Sequence, residues 1–134
     1  MKTLGFTILA AVILALPICA QSPAVAVNVP FGFVAGNATL PAGQYTVDMS
    51  TRPFLVGLIG ADRHTHLLNT VPDGVGSAKG LSELVFHRYG DRYFLSEIRT
   101  PGRSREIPES GIEREAQQTA GAGRASQEIV LAMR

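Results

Sequence analysis

Three histidines are the side chains of this sequence best suited to metal binding. His64 and His66 are separated by one residue, and His87 follows in a different segment. Residues two apart on a strand face the same way, so both imidazoles could reach one ion, and His87 could complete a three-histidine site. No cysteine or carboxylate stands nearby at ligand spacing. The competing interpretation places the pair on the solvent-exposed face of a strand, and we expect no cofactor.

Aromatic and arginine side chains alternate between Phe86 and Phe94. Such side chains can stack on bases or sugars. The chain has 12 Lys and Arg residues against 11 Asp and Glu residues, so no strong positive field would attract a nucleic acid. We therefore favour a structural interpretation, in which cross-strand aromatic and cation–π pairs fix the register of a hairpin.

Acidic and basic residues cluster between Arg99 and Glu115, a pattern typical of a solvated face, and we assign them no chemistry. Glu97 and Asp91 would need a second carboxylate brought close by folding to act as an acid–base pair. The sequence shows neither a Gly-x-Ser-x-Gly nucleophile motif nor a phosphate-binding glycine loop. It therefore predicts no catalytic residue.

The segment Met1–Ala20 has the order of a secretory signal peptide. Lys2 precedes an apolar run from Leu4 to Leu16, which is too short for a permanent membrane anchor. A lipoprotein leader needs a small residue before the cysteine, and Ile18 before Cys19 disfavours that alternative. We predict cleavage after Ala20, a single β-rich domain over residues 21–134, and a periplasmic or extracellular location.

Cleavage after Ala20 removes the one cysteine and Lys2, which leaves basic and acidic residues in balance. A disulfide framework and a thiol nucleophile are then excluded. The fold must be held by packing alone. We expect no nucleic-acid partner, and an envelope component or a small apolar ligand are the partners considered.

Closely spaced Gly and Pro residues favour many short strands over helices. Apolar residues alternate from Val25 to Phe33, where Pro30 indicates a sheet edge or a bend. A loop is predicted over 36–43 and another over 72–80. Between them, strands predicted over 44–50, 54–59 and 64–71 form an antiparallel meander.

The strongest hairpin signal is Gly90-Asp91, between strands predicted over 81–89 and 92–99. One face of this hairpin, assigned to the core, carries Leu84, Phe86, Tyr93 and Leu95. The other face carries Val85, His87, Tyr89, Arg92 and Phe94, so it is either covered by another element or left as a binding surface. A helix is predicted from Pro108 to Ala120, with a thin apolar face of Ile112 and Ala116, followed by a last strand over 128–133.

Three segments also carry a resemblance. They are Val27-Asn28-Val29-Pro30-Phe31-Gly32-Phe33, Leu40-Pro41-Ala42-Gly43-Gln44-Tyr45-Thr46-Val47, and Val85-Phe86-His87-Arg88-Tyr89-Gly90-Asp91 with Tyr93-Phe94-Leu95. From about Val25 to Glu115 the chain resembles a group of small exported proteins of soil bacteria. The resemblance implies export and a β-rich fold, and it carries over no functional residue.

The predicted fold is all-β: a small antiparallel barrel or sandwich of about seven strands with one short helix before the last. The leading functional hypothesis is an exported, non-catalytic envelope or extracellular module with a structural or adhesive role. One alternative is a small-molecule carrier whose interior is lined by Tyr45, Phe54, Phe86 and Tyr93. The other is a metal-binding protein that uses His64, His66 and His87.

Overall fold

The computed structural model describes residues 24–121 and 126–134, which form short strands and one helix. The predicted signal peptide and Cys19 lie outside the described residues. The elements, in chain order, are β1 (Ala24–Val29), β2 (Phe33–Ala35), β3 (Ala38–Leu40), β4 (Gly43–Arg52), β5 (Leu55–Gly60), β6 (Thr65–Asn69), β7 (Val71–Pro72), β8 (Glu83–Tyr89), β9 (Arg92–Thr100), β10 (Arg103–Glu106), α1 (Gly111–Ala120) and β11 (Gln127–Ala132).

The strands form two curled sheets that together make a half-barrel. One sheet has the order β1-β4-β5-β6, so the predicted meander is confirmed, and the other has the order β11-β8-β9-β10-β7. The sheets meet where Ala26 and Arg134 exchange two main-chain hydrogen bonds of 3.0 and 2.8 Å. They also meet at Thr70, where the chain passes from β6 into β7. The all-β prediction, with a short helix before the last strand, is confirmed.

The core lies on the concave side of the half-barrel and is centred on Phe86, which is fully buried. Phe31 and Phe33 pack edge-to-face against the Phe86 ring, with centroid distances of 5.1 and 5.3 Å. Tyr45 packs on Phe33, and Tyr93 stacks on Phe31 at 3.9 Å. Aromatic pairs of this geometry add about 0.5–1.5 kcal/mol each beyond the burial of their area.

A β-bulge at Ser96 divides β9 into two registers. Val85 pairs with Glu97 whereas the next residue, Phe86, pairs with Leu95, which leaves Ser96 as the extra residue. Leu95 and Ile98 therefore both face the core although they are an odd number of residues apart. The predicted core face of the hairpin is confirmed, and the bulge extends it to Ile98.

The stripe from Val25 to Phe33 breaks at Pro30, where a bend was one of the two predicted alternatives, and its second half becomes β2 in the other sheet. Two predicted boundaries are wrong for local reasons. The predicted loop over 36–43 contains β3, which pairs with β2. The helix begins at Gly111 instead of Pro108 because the Ser110 hydroxyl caps it, accepting a hydrogen bond from the Glu113 N–H at 3.2 Å.

Gly90 and Gly111 offer a matched pair of alanine substitutions. Gly90 has φ +60° in the hairpin turn, and a Cβ would meet nothing within 4 Å at either glycine. Gly90→Ala should lower the free energy of unfolding by about 1–2 kcal/mol through backbone strain alone. Gly111→Ala, on helical backbone, should raise it by about 0.5 kcal/mol. Urea unfolding measures both, and equal effects would contradict the turn assignment.

Candidate functional site

Helix α1 covers the outer face of the β8–β9 hairpin. Phe94 is fully buried beneath Ala116 and Val34, with Tyr89 and Ile112 packed at the margin of this second core. The sequence left this face either covered by another element or free as a binding surface. The structure shows that helix α1 covers it. The predicted thin apolar face of the helix, Ile112 and Ala116, makes this contact.

Between the helix and the sheet lies a set of polar side chains that we call the helix-covered cluster: His87, Tyr89, Ser96, Glu113 and Gln117. His87 Nε2 lies 3.3 Å from the Ser96 hydroxyl, and His87 Nδ1 lies 3.5 Å from Glu113 Oε1. The Tyr89 hydroxyl donates to the same carboxylate at 3.3 Å. Gln117 in turn donates to the Tyr89 hydroxyl at 2.9 Å.

Burial controls the electrostatics of the cluster. The Glu113 side chain is almost fully buried, and this burial raises the pKa of its carboxyl group. The nearby charge of Glu109 raises it further, whereas His87 and the Tyr89 hydroxyl act in the opposite direction. Burial also raises the pKa of Tyr89.

The assignment of residues 99–115 to a solvated face is therefore wrong at Glu113 and at Arg105, which are both buried. Glu113 lies three residues before Ala116 and four before Gln117, so it belongs to the helical stripe that faces the sheet. That spacing was the available signal, because position 113 is helical whether the helix starts at Pro108 or at Gly111. The sheet surface that it faces was not visible in the sequence.

The order Ser96–His87–Glu113 is that of a serine–histidine–carboxylate relay. Its geometry and charge differ from those of a working relay. The distances of 3.3 and 3.5 Å are long for hydrogen bonds, and Ser96 is only 9 % exposed. A carboxyl group with a raised pKa is also a weak stabiliser of an imidazolium ion. We therefore assign the cluster the structural role of fastening α1 to the sheet.

The three candidate metal ligands lie in separate parts of the fold. His64 is exposed in the turn before β6 and hydrogen-bonds through Nδ1 to Asp62 Oδ2 at 2.9 Å, so the expectation that no carboxylate stands nearby is wrong. His66 is half-buried on β6. His87 lies on β8 under the helix. Within residues 24–121 and 126–134, no three His, Cys, Asp or Glu side chains are grouped so that they could hold one metal ion.

The four residues proposed to line a carrier cavity have different environments. Tyr45 and Phe86 are buried in the aromatic core, and Tyr93 is half-buried on Phe31. These three rings are joined through Phe31 and Phe33, which pack between them. The interior position predicted for Phe54 is wrong, because the β4–β5 turn leaves this side chain 63 % exposed.

The outer edge of β6 is the second site of interest. In antiparallel pairs, the N–H and C=O groups of successive residues point alternately toward and away from the partner strand. Gly60 donates to the His64 carbonyl at 3.0 Å and Thr70 donates to the Phe54 carbonyl at 2.8 Å, so even-numbered residues bond to β5. The residues that direct both groups away from β5 are Thr65, Leu67 and Asn69.

This edge borders a groove of about 640 Å³, which we call the β6 groove. All of β6 lines one side of it, and residues 35–38 and 107–110 line the rest. The groove exists because β10 pairs with β7 but the chain then leaves the sheet at Pro108 to enter the helix. Pro108 has no N–H group, so it cannot continue the hydrogen-bond ladder of β10 along β6.

The corner between β5 and β7 exposes large apolar side chains, which we call the corner patch: Phe54 (63 % exposed), Leu67 (58 %) and Val71 (51 %). The Thr70 N–H bond to the Phe54 carbonyl joins the β4–β5 turn to the residue before β7. Arg105 holds this corner from inside, because its guanidinium donates to the Pro53 carbonyl and to the Thr70 hydroxyl. These bonds hold the backbone of the corner in place.

No family model, curated protein or solved structure matches this chain. The resemblance to small exported proteins of soil bacteria therefore stays a prediction. In the part of the chain that the structure describes, the helix is too short and too polar to cross a membrane.

The raised pKa of Glu113 predicts a pH-dependent stability. The folded state holds this proton more tightly than the unfolded state, so the contribution is complete at acidic pH and is lost as pH rises through the raised pKa. Compared with Glu113→Gln, which cannot titrate, the native protein should lose stability as the pH rises from about 4, the ordinary glutamate range, through the raised pKa of Glu113.

Urea unfolding of both proteins across that range measures this difference. Glu115→Gln, the same change on the exposed side of the helix, is the control. His87 and Glu109 are present in all three proteins, so the variants differ only in the carboxyl group at position 113 or 115. A stability difference that does not vary with pH would contradict the buried, proton-holding carboxyl.

Proposed function

We propose that this chain is an exported, non-catalytic module of the cell envelope or extracellular space with a structural or adhesive role. The sequence of Met1–Ala20 supports export. The observation that carries the adhesive role is the corner patch, where Phe54, Leu67 and Val71 are each more than half exposed. Large exposed apolar side chains that share one region of a well-packed domain are typical of interaction surfaces.

The rigidity of the corner supports the same proposal. Arg105 is itself buried and ties the β4–β5 turn to Thr70, so the backbone beside the patch is held in place before any partner arrives. A preorganised surface pays less conformational entropy on binding than a flexible one. The helix-covered cluster supports the structural role, because it fastens helix α1 to the sheet.

Export is tested with the untagged full chain expressed in a Gram-negative host. We expect a product that begins at Gln21, identified by mass spectrometry in the periplasm or the medium. Leu14→Arg, which places a charge in the apolar run, should leave the chain unprocessed in the cytoplasm, and Leu14→Ile should not. A native chain retained whole in the cytoplasm would contradict export.

Adhesion is tested with the purified domain and isolated cell envelopes in a sedimentation assay. Replacing Leu67 and Val71 together by Ser should reduce the co-sedimented fraction several-fold, since these side chains supply exposed apolar area. Val75→Ser is the control, because Val75 is 90 % exposed in the loop after β7 and does not belong to the corner patch. An equal loss in both variants would exclude the corner patch as the adhesive surface.

A further inference from the structure

We propose that the β6 groove accepts an extended peptide segment of a partner protein, which adds to the sheet as a further strand beside β6. The inference rests on the proposed adhesive function and names the kind of partner that it requires. It is carried by the main chain of Thr65, Leu67 and Asn69. Each of these residues turns an N–H and a C=O toward the groove.

These six groups form the regular pattern of donors and acceptors that a strand recognises. Within residues 24–121 and 126–134, β6 pairs with β5 alone, and no other main-chain hydrogen bond reaches the three residues. Unpaired strand edges add extended peptides by main-chain hydrogen bonding, with side-chain pockets supplying specificity. Three residues with outward groups match a partner strand of about five residues.

The sequence of β6 does nothing to prevent such pairing. Natural sheet edges are commonly blocked by Lys, by Pro or by a covering element. Residues 65–71 contain no Lys, Arg, Asp, Glu or Pro, and Pro72 follows only where β7 is already paired with β10. The edge is therefore open over its whole length.

The walls of the groove define the chemistry of the peptide. Leu68, Ile107 and Ala35 are buried at its base, whereas Asn37 and Glu109 are exposed at its rim. A strand that fits presents small or apolar side chains inward and polar ones outward. A basic side chain toward Glu109 would complement its charge.

A second copy of the chain fits this edge less well than a single strand does. In each copy, β6 is bordered by its own walls at 35–38 and 107–110. Two such edges would have to bring those walls together before their strands could pair. An isolated extended segment carries no walls and can lie between them.

The test uses a synthetic peptide of seven residues in which Thr and Val alternate and a Lys stands at each end, with both termini blocked. Amide hydrogen exchange is followed by NMR on the purified domain. Without peptide, the N–H groups of Thr65, Leu67 and Asn69 should exchange rapidly, while those of His66 and Leu68 are protected by β5. With peptide, the three exposed N–H groups should become protected.

Two controls distinguish strand addition from nonspecific binding of the peptide. The same peptide with alternate backbone nitrogens methylated, so that the edge facing β6 loses its N–H donors, should bind at least about tenfold more weakly. Leu67→Pro removes a donor that faces the groove and no bond to β5, so the domain should fold and lose the peptide. The methylated peptide keeps the test valid if this variant does not fold.

Equal binding of the methylated and unmethylated peptides would overturn strand addition, as would the absence of protection at millimolar peptide. Protection that appears without peptide and grows with protein concentration would overturn it in favour of a second copy. Export and envelope sedimentation are measured separately. Their success alongside a failed peptide test would leave the proposed function in place and reject only this partner.

Discussion

Strands β8 and β9 are buried on both faces, and the rest of the fold is arranged around that requirement. On one face Phe86 lies among Phe31 and Phe33 in the core of the half-barrel, and on the other Phe94 lies under the helix. Full burial of such a side chain stabilises a fold by about 1.5–3 kcal/mol, so neither face can be left open in a small domain without disulfides. The β1–β4–β5–β6 sheet covers the first face. Because a single short helix covers the second, Ser110 capping and the polar contacts of Glu113 determine whether the hairpin keeps its outer cover.

Two glutamates with different surroundings show how neighbouring groups change the effect of burial on a pKa. Burial tends to raise the pKa of the half-buried Glu97, but hydrogen bonds from Arg99 and Ser104 outweigh it and lower that pKa overall. The buried Glu113 has only the more weakly placed His87 and neutral donors, and its pKa is raised. The two carboxyl groups thus respond to acid in opposite directions. The difference arises from the deeper burial of Glu113 beside the charge of Glu109, and from the donors that Arg99 and Ser104 supply to Glu97.

Local patterns in the sequence predicted much of this architecture. Alternation identified the meander, and Gly90-Asp91 identified the hairpin with its core face, because both depend on neighbours in the chain. What could not be predicted depends on distant residues. Nothing near Arg105 indicates that it will meet Pro53, and nothing near β6 indicates that its outer edge will border a groove. The burial of Glu113 could be predicted only in part, because its helical spacing was visible in the sequence but the sheet surface that it faces was not. The candidate sites chosen by residue type were dispersed for the same reason: His66 and His87 belong to different sheets.

The pair of bonds between Ala26 and Arg134 has a consequence for the order of folding. Strand β1 is among the first segments to be synthesised, yet its outer edge is completed by a residue at the far end of the described sequence. Strand β8, which lies between β9 and β11 in the second sheet, likewise waits for β11. A growing chain can therefore form the β4–β5–β6 meander early but cannot seal the half-barrel until β11 and Arg134 are made.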